Sequence, residues 1–269
     1  MDRRVVITGL GAVTPCGNSP EELWNSLMAG KHGFELAPWF PDQEPDNLSV
    51  VARVKNFDPS EYFDKKELRR NDVIVQYAVY CAMQALKDAG TDLRDIDPYR
   101  VGVVIGSGIG GIYTTEEEMS NYHNKGNKRV GVFTITKMIG NMAAGEVAIR
   151  TGFKGSNFCV TTACASGTQS IGEAFRSIKH GYLEAALSTA ISASAMLRST
   201  TCTQLHVPLM WTGLPFRSTR REAVSCWVTA AVCWFLRNTS MQRRAARRYM
   251  QRYAATAAPA TLTTKPAPT

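Results

Sequence analysis

The chain has 269 residues, of which 44% are hydrophobic and 20% charged, and its formal net charge is +8. Such a charge would suggest a nucleic-acid or membrane partner, but residues 1–187 hold 20 basic and 22 acidic residues, while residues 188–269 hold 11 basic residues and one acid, Glu222. The seven cysteines show no paired spacing, so we expect no disulfide framework, no metal and no cofactor. With no secretory signal or membrane-length apolar run, we expect a cytoplasmic protein without a membrane partner.

Strand and helix patterns alternate along residues 1–187. Short β-branched and apolar runs predict buried strands, and apolar residues at helical spacing predict helices. The predicted strands are Val5–Thr8, Val101–Ile105, Phe158–Thr162 and Ala185–Thr189, and the predicted helices cover residues 20–30, 71–89 and 167–180. The last helix ends in Lys179, His180 and Gly181, so we interpret His180 as part of a C-terminal cap.

A glycine loop, Gly106-x-Gly108-x-x-Gly111, follows the strand Val101–Ile105. By letter, its spacing matches the fingerprint of a dinucleotide-binding site. Three acids follow at residues 116–118, where they would face a pyrophosphate, and no strand ending in an acid follows about twenty residues later, as the ribose contact requires. We therefore favour a packing role for these glycines, with the dinucleotide site as the alternative.

A lone cysteine, Cys164, marks the junction between Phe158–Thr162 and the helix over 167–180. At a helix N-terminus, unpaired N–H groups and the positive end of the helix dipole favour a thiolate. We predict that Cys164 is a nucleophile, and the alternative is a structural cysteine that packs as a small hydrophobe. The residues around it are small enough for a bulky group to approach: Ala163, Ala165, Ser166 and Gly167.

Several motifs, in the right order, resemble those of the β-ketoacyl-acyl carrier protein synthases, the condensing enzymes of fatty-acid synthesis. Ala163-Cys164-Ala165-Ser166-Gly167 resembles their nucleophile motif. RRVVITGLGAVTPCGNS (3–19) is similar to their opening strand and turn, and VGVVIGSGIGG (101–111) to their second strand and glycine loop. The first long helices and the stretch before the nucleophile strand are matched by residues 65–90 and 140–158. The likeness covers about residues 3–187 and is closest to the chain-elongating, type II-like branch.

The resemblance implies a thiolase-like α/β/α layered fold, of which this chain would hold the N-terminal half. It implies that Cys164 takes an acyl group from acyl carrier protein as a thioester, which the carbanion of decarboxylated malonyl-carrier protein then attacks. It places Ile109, Phe133 and Thr134 at the acyl pocket, and it implies a homodimer in the intact family. One basic run would face the acidic carrier protein, unless it is simply a solvated helix face: Lys65, Lys66, Arg69 and Arg70.

Beyond residue 187 the sequence changes character. The codons of residues 223–252 can be regrouped by joining the last base of each codon to the first two bases of the next, with every third base left free where the amino acid allows it. In this shifted frame they can encode a segment beginning Gly-Phe-Val-Leu-Gly-Asp-Gly-Ser-Gly, which resembles the strand and helix that follow in the same family. The forced codons agree, since Trp234 into Phe235 gives valine and Met241 into Gln242 gives alanine. We infer that the reading frame slips between about Leu187 and Arg217.

This inference divides the chain into three regions. A condensing-enzyme half covers residues 1–187, an uncertain transition covers 188–217, and a frame-slipped basic tail, expected to be disordered, covers 218–269. Within that tail, Val228–Leu236 would have no reason to keep the register of the strand that it replaces. The family's two catalytic histidines and an oxyanion partner belong to the second half, so we expect this chain to lack condensing activity.

A second function stays open at this point. The tail is rich in arginine, which favours a non-catalytic module whose tail binds nucleic acid with a steep salt dependence. The arginines concerned are Arg243, Arg244, Arg247 and Arg248. Because several independent motifs match condensing enzymes, we expect acyl carrier protein, and not nucleic acid, to be the partner.

Overall fold

The structure is a computed structural model, and it describes residues 3–36, 50–90, 96–124, 130–192, 226–228 and 230–238. The strands in these ranges are β1 (Val5–Val13), β2 (Phe34–Leu36), β3 (Val50–Ala52), β4 (Val101–Ser107), β5 (Asn157–Val160), β6 (Ala185–Ser192), β7 (Cys226–Val228) and β8 (Ala230–Asn238). The helices are α1 (Pro20–Met28), α2 (Lys65–Arg70), α3 (Val73–Ala89), α4 (Ile112–Asn124), α5 (Thr134–Met138), α6 (Asn141–Thr151) and α7 (Ser166–Lys179).

A five-stranded sheet with the order β1-β8-β6-β4-β5 organises the fold. Strand β4 pairs in parallel with both β5 and β6, and β8 runs antiparallel between β1 and β6. A separate sheet joins β2, β3 and β7. Because the carboxyl ends of β4 and β5 lie at the same edge of the large sheet, the loops that follow these two strands come together there.

Helices cover both faces of the large sheet. Helices α3 and α6 pack on one face and α7 packs on the other, which gives three layers. Successive side chains of strand β4 point to opposite faces of the sheet: Val103 and Ile105 belong to the core under α3 and α6, and Val104 belongs to the core under α7. Strand β4 is buried on both faces, which explains its continuous apolar sequence.

The central helix α3 begins and ends where its sequence predicts. Asp72 caps its N-terminus by accepting a hydrogen bond from the Ile74 amide, and Gly90 ends it in the left-handed conformation. Its backbone lies close to β1, because a Cβ added at Gly9 or Gly11 would lie about 2 Å from a carbonyl oxygen of the helix. The first strand therefore needs glycine where it crosses α3.

The layered α/β fold is confirmed, with several boundaries shifted. Strand β1 runs five residues beyond Thr8, and β6 extends to Ser192. The third predicted strand ends at Val160 because the chain turns at Thr161 and Thr162 toward the next helix. Residues 65–90 form two helices, α2 and α3, with a break at Asn71 and Asp72. His180 is the C-cap of α7, as predicted.

The segment Ala230–Asn238 differs from our expectation. We expected Val228–Leu236 to have no reason to keep the register of the strand that it replaces, and residues 218–269 to be disordered. In the structure, residues 230–238 form β8, which pairs along its length with β6 and, apart from a bulge between Ile7 and Gly9, with β1. Every non-proline residue can pair through its main-chain N–H and C=O groups. An apolar run with no proline can therefore complete a sheet even when its side chains differ from those of the strand that it replaces. Arg243, Arg244, Arg247, Arg248 and His206 lie outside the described residues.

Candidate functional site

Cys164 lies on a tight turn between β5 and α7. The turn is a 3₁₀ element, Ala163–Ala165, that leads directly into the first residue of α7. The Cys164 side chain is exposed. The residue before it, Ala163, has φ +49°, which is uncommon for a residue with a Cβ atom and is a conformation often found at functional sites. A strained turn thus presents the sulfur to solvent at the N-terminal end of a 14-residue helix.

Ser166 holds this turn in shape. Its buried hydroxyl donates a hydrogen bond to the Ala163 carbonyl at 2.7 Å and accepts one from the Thr162 amide at 2.9 Å. The Ala165 amide also donates to the Thr162 carbonyl. These bonds fix the backbone on both sides of Cys164, so the position of its sulfur is set by the fold and not by an isolated loop.

The first turn of α7 sits unusually close to the sheet. A Cβ added at Gly106 of β4 would lie 2.3 Å from the Ser166 carbonyl oxygen, and one added at Gly167 would lie 2.4 Å from the Ala190 Cβ. Ser170 ties the next turn down by donating to the carbonyls of Gly167 and Thr189. Two glycines and one serine therefore seat the helix that carries Cys164.

The remaining glycines of the loop after β4 pack against protein backbone. At Gly110 (φ +76°) an added Cβ would lie 2.6 Å from the Met138 carbonyl oxygen, and at Gly111 it would lie 2.2 Å from that of Lys137. Gly108 faces Ala163 at an ordinary contact distance of 3.4 Å. The neighbouring backbone already fills the space beside Gly106 and Gly111, which supports the packing role over the dinucleotide site. The loop also links the Cys164 turn to helix α5.

The three residues expected at an acyl pocket differ in their surroundings. Ile109 lies between the glycines that contact Ala163 and Met138, and it is 65% exposed. Phe133 is the N-cap residue of α5 and is 42% exposed. Thr134 is 8% exposed, and its Oγ1 has no hydrogen-bond partner. Ile109 and Phe133 thus present apolar surface near the loop that contacts the Cys164 turn, whereas Thr134 is enclosed by protein.

The basic run lies on α2 and is exposed to solvent. A capping box begins this helix, in which Asp64 accepts from the amides of Lys66 and Glu67 and the Glu67 side chain accepts from the Asp64 amide. At the other end, the Arg70 guanidinium lies over the Phe133 ring, 5.1 Å from its centroid. A positively charged surface therefore adjoins one of the expected pocket residues.

Two long-range contacts of charged residues, one buried and one partly exposed, were not found from the sequence. Asp72 is 2% exposed, and its second carboxylate oxygen accepts hydrogen bonds from the amide and hydroxyl of Thr114 in the first turn of α4. Arg150 of α6 forms ion pairs with Glu67 and Glu146. The Asp64-x-x-Glu67 capping pattern and the i,i+4 spacing of Glu146 and Arg150 are local and could be found from the sequence. The contacts of Asp72 with Thr114 and of Arg150 with Glu67 join residues 42 and 83 positions apart, and these could not.

The histidines of the described residues lie at the periphery of this arrangement. His180 caps the end of α7 opposite Cys164, His32 packs against Phe34 with the two rings tilted, and His123 contacts Tyr122 edge-on near the end of α4. Among the residues that the structure describes, no cluster of three His, Cys, Asp or Glu side chains could hold a metal ion. No helix in the described ranges is both long and apolar enough to cross a bilayer.

Comparisons with known proteins identify relatives of the chain. The model of the β-ketoacyl synthase N-terminal domain matches residues 2–221. Over 184 residues, the chain is 42% identical to 3-oxoacyl-[acyl-carrier-protein] synthase 2 of Staphylococcus aureus, which covers 68% of this chain and 44% of the relative. Its identity to the Synechocystis enzyme of the same name is 40% over 183 residues, with the same coverage. The chain thus spans less than half the length of the curated relatives that it matches.

Solved structures share the fold. A β-ketoacyl synthase from Burkholderia phymatum superposes with a TM-score of 0.69 at 25% identity, over 93% of this chain and 61% of that one. A ketosynthase solved with its type II polyketide acyl-carrier protein has a TM-score of 0.70 at 24% identity, over 94% and 66%. Nothing in these matches supports the nucleic-acid-binding alternative or a loss of activity.

Proposed function

Since the chain belongs to the β-ketoacyl synthase family, we propose that it forms the nucleophile-bearing part of a 3-oxoacyl-[acyl-carrier-protein] synthase of fatty-acid elongation. Cys164 is the residue that accepts the acyl group. The observation that carries this assignment is the exposed cysteine on a turn with φ +49° at Ala163, directly at the N-terminus of α7. A cysteine kept only for packing would be expected inside the core, as Cys81 is.

The chemistry is a thioester exchange. The Cys164 sulfur attacks the carbonyl carbon of an acyl thioester, a new carbon–sulfur bond forms, and the carrier's sulfur leaves with the proton that Cys164 gave up. The tetrahedral intermediate carries a negative charge on oxygen, which the N–H groups and dipole at the start of α7 stabilise. In the second step, a malonyl thioester loses its carboxylate as CO₂, and the resulting carbanion forms a carbon–carbon bond with the acyl-Cys164 carbonyl carbon. The carbon–sulfur bond then breaks and releases the Cys164 thiolate.

Acyl carrier protein is the proposed donor. The exposed basic residues of α2 suit an acidic partner, and Arg70 joins this surface to Phe133 at the expected entrance of the acyl pocket. A solved ketosynthase with a TM-score of 0.70 is described in complex with its acyl-carrier protein. These features support docking of the carrier on the α2 side of the Cys164 turn.

A second copy of the chain is the other proposed partner. Strand β5 is at the edge of the sheet and carries the partly exposed Phe158, and an edge strand leaves main-chain groups available for pairing. We also propose a cytoplasmic setting, because Cys16, Cys81, Cys159 and Cys164 form no disulfide, as is usual in a reducing compartment.

Mass spectrometry of the intact protein tests the assignment of Cys164. Incubation with an acyl-carrier protein thioester is expected to add one acyl mass, and Cys164→Ala is expected to abolish the addition. Cys159→Ala is the matched control, because Cys159 is a half-buried cysteine on the strand before the turn. Equal acylation of Cys164→Ala and the unaltered chain, or acyl groups located on Cys159 or Cys16, would show that the assignment is wrong.

A further inference from the structure

Helix α2 has little to hold it in place through packing. It has six residues, none of them buried, and its one apolar residue, Leu68, is only half-buried against the core. A helix of this length is not stable by itself in water. Its fixed position must therefore come from specific polar contacts at its ends and side.

Arg150 provides the contact from the side. One guanidinium nitrogen lies 2.7 Å from the Glu67 carboxylate of α2, and another donates to the carbonyl of Tyr62 in the segment before α2. The guanidinium also lies over the Phe63 ring, 4.2 Å from its centroid. The third nitrogen pairs with Glu146 on Arg150's own helix, α6. The side chain is 19% exposed, so water screens these charges less than at the open surface.

Glu67 links this contact to the cap of α2. One of its carboxylate oxygens accepts from Arg150 and the other accepts from the Asp64 amide in the capping box. The guanidinium thus holds the carboxylate that begins the helix. Through α2, it also fixes where Arg70 meets Phe133.

We propose that Arg150 is a positioning residue for carrier-protein docking, which it serves by holding the basic helix α2 in its docking orientation. This inference rests on the proposed function, since it takes acyl carrier protein as the partner of α2. Arg150 itself is set back from that surface and touches no reacting atom. Without it, α2 would have to be ordered when the carrier binds, and this entropy loss would weaken carrier binding without altering the chemistry at Cys164.

The prediction is a difference between two acyl donors. Arg150→Met keeps most of the side-chain volume over Phe63 but removes every polar contact. We expect the concentration of octanoyl-carrier protein needed for half-maximal acylation of Cys164 to rise about tenfold, equivalent to about 1.4 kcal/mol. With octanoyl-N-acetylcysteamine, which has no protein surface, the acylation rate should stay within about twofold of the unaltered chain.

Two pairs of variants distinguish a positioning role from a general effect on stability: Glu67→Gln with Glu146→Gln, and Arg150→Met with Arg100→Met. Glu67→Gln and Glu146→Gln each remove one carboxylate from Arg150, but only Glu67 lies on α2, so only Glu67→Gln should weaken the carrier reaction. Arg100→Met removes a guanidinium that bonds the Gly181 carbonyl and Glu184 at the opposite end of β4. It should lower the melting temperature without distinguishing the two donors.

Direct binding of the carrier protein to Cys164→Ala, with and without Arg150→Met, tests the inference apart from acylation. We expect Arg150→Met to weaken this binding about tenfold. The role of Arg150 would be overturned if Arg150→Met slowed acylation equally with both donors, or if Glu67→Gln and Glu146→Gln weakened the carrier reaction equally. It would also be overturned if Arg150→Met left carrier binding undiminished, or if the unaltered chain did not bind the carrier. A chain that binds the carrier but is never acylated at Cys164 would contradict the proposed function and leave the binding result to decide on Arg150.

Discussion

Replacing Gly106 with alanine tests whether close packing of the sheet under α7 positions Cys164. The new Cβ would lie 2.3 Å from the Ser166 carbonyl oxygen and 2.9 Å from the Gly167 nitrogen, whereas real Cβ contacts essentially never fall below 3.0 Å. Both neighbours are backbone, so no rotamer change can relieve the clash. The first turn of α7 must therefore move away from β4 by about 0.7 Å or more.

Gly106→Ala is expected to lower both the stability of the fold and the reactivity of Cys164. Overpacking of this kind lowers the free energy of unfolding by about 1–3 kcal/mol, which shifts a urea midpoint by about 1 M. A displacement approaching 1 Å at the nucleophile also slows its reaction by up to about a hundredfold. Urea unfolding measures the first part, and the rate of Cys164 acylation by octanoyl-N-acetylcysteamine measures the second.

Gly108→Ala is the control for this prediction. It lies in the same loop, but its Cβ would meet Ala163 at an ordinary 3.4 Å, so we expect a stability and an acylation rate close to those of the unaltered chain. If Gly106→Ala matched Gly108→Ala in both measurements, the argument that β4 seats the nucleophile helix would be refuted.

Three further predictions concern other parts of the chain. Ala163→Val should lower the free energy of unfolding by about 1–2 kcal/mol because a β-branched residue disfavours φ +49°, whereas Ala163→Gly should not; chemical unfolding of the two variants decides this. Burial raises the pKa of Tyr77 to about 12, so between about pH 10 and 12 the folded state keeps a proton that the unfolded state has lost, and stability falls with rising pH. In Tyr77→Phe, the decrease in the free energy of unfolding over this pH range should be smaller by on the order of 2 kcal/mol. Identical pH profiles of stability for the two proteins would contradict the raised pKa of Tyr77. Sequencing of the coding DNA should reveal a one-base slip between about codons 187 and 217, and an uninterrupted frame would disprove it.

The parts of the fold that the sequence predicts are those governed by local pattern. Strand β4 has a continuous apolar run, and α3 has a cap at Asp72 and a stop at Gly90, so both can be located from the sequence. The position of β8 could not be predicted in this way. Its place between β1 and β6 depends on main-chain pairing across the whole chain, which no local window contains.

The candidate site shows the same division. The small residues around Cys164 and the helix that follows them identify the turn, but nothing in the sequence specifies the positive φ of Ala163, because alanine rarely adopts it. The enclosure of Thr134 was also unforeseen, since the resemblance placed it beside Phe133 at the acyl pocket, whereas Thr134 is 8% exposed and Phe133 is 42% exposed. Long-range pairing, as between Arg150 and Glu67, depends on how α2 and α6 approach each other.

The location of β8 has a consequence for how the chain acquires its structure during synthesis. Val5 pairs with Asn238, so β1 has no sheet neighbour until residues 230–238 have been made. At ribosomal speeds of about 5–20 residues per second, β8 follows β1 by roughly ten to forty seconds. During that time β1 can pack on helices, on α3 at Gly9 and Gly11 and on the α7 side through Val5 and Ile7, but it has no strand beside it, while β6 keeps one edge unpaired. The growing chain therefore exposes two strand edges that await the same insertion, and other chains could pair with them first.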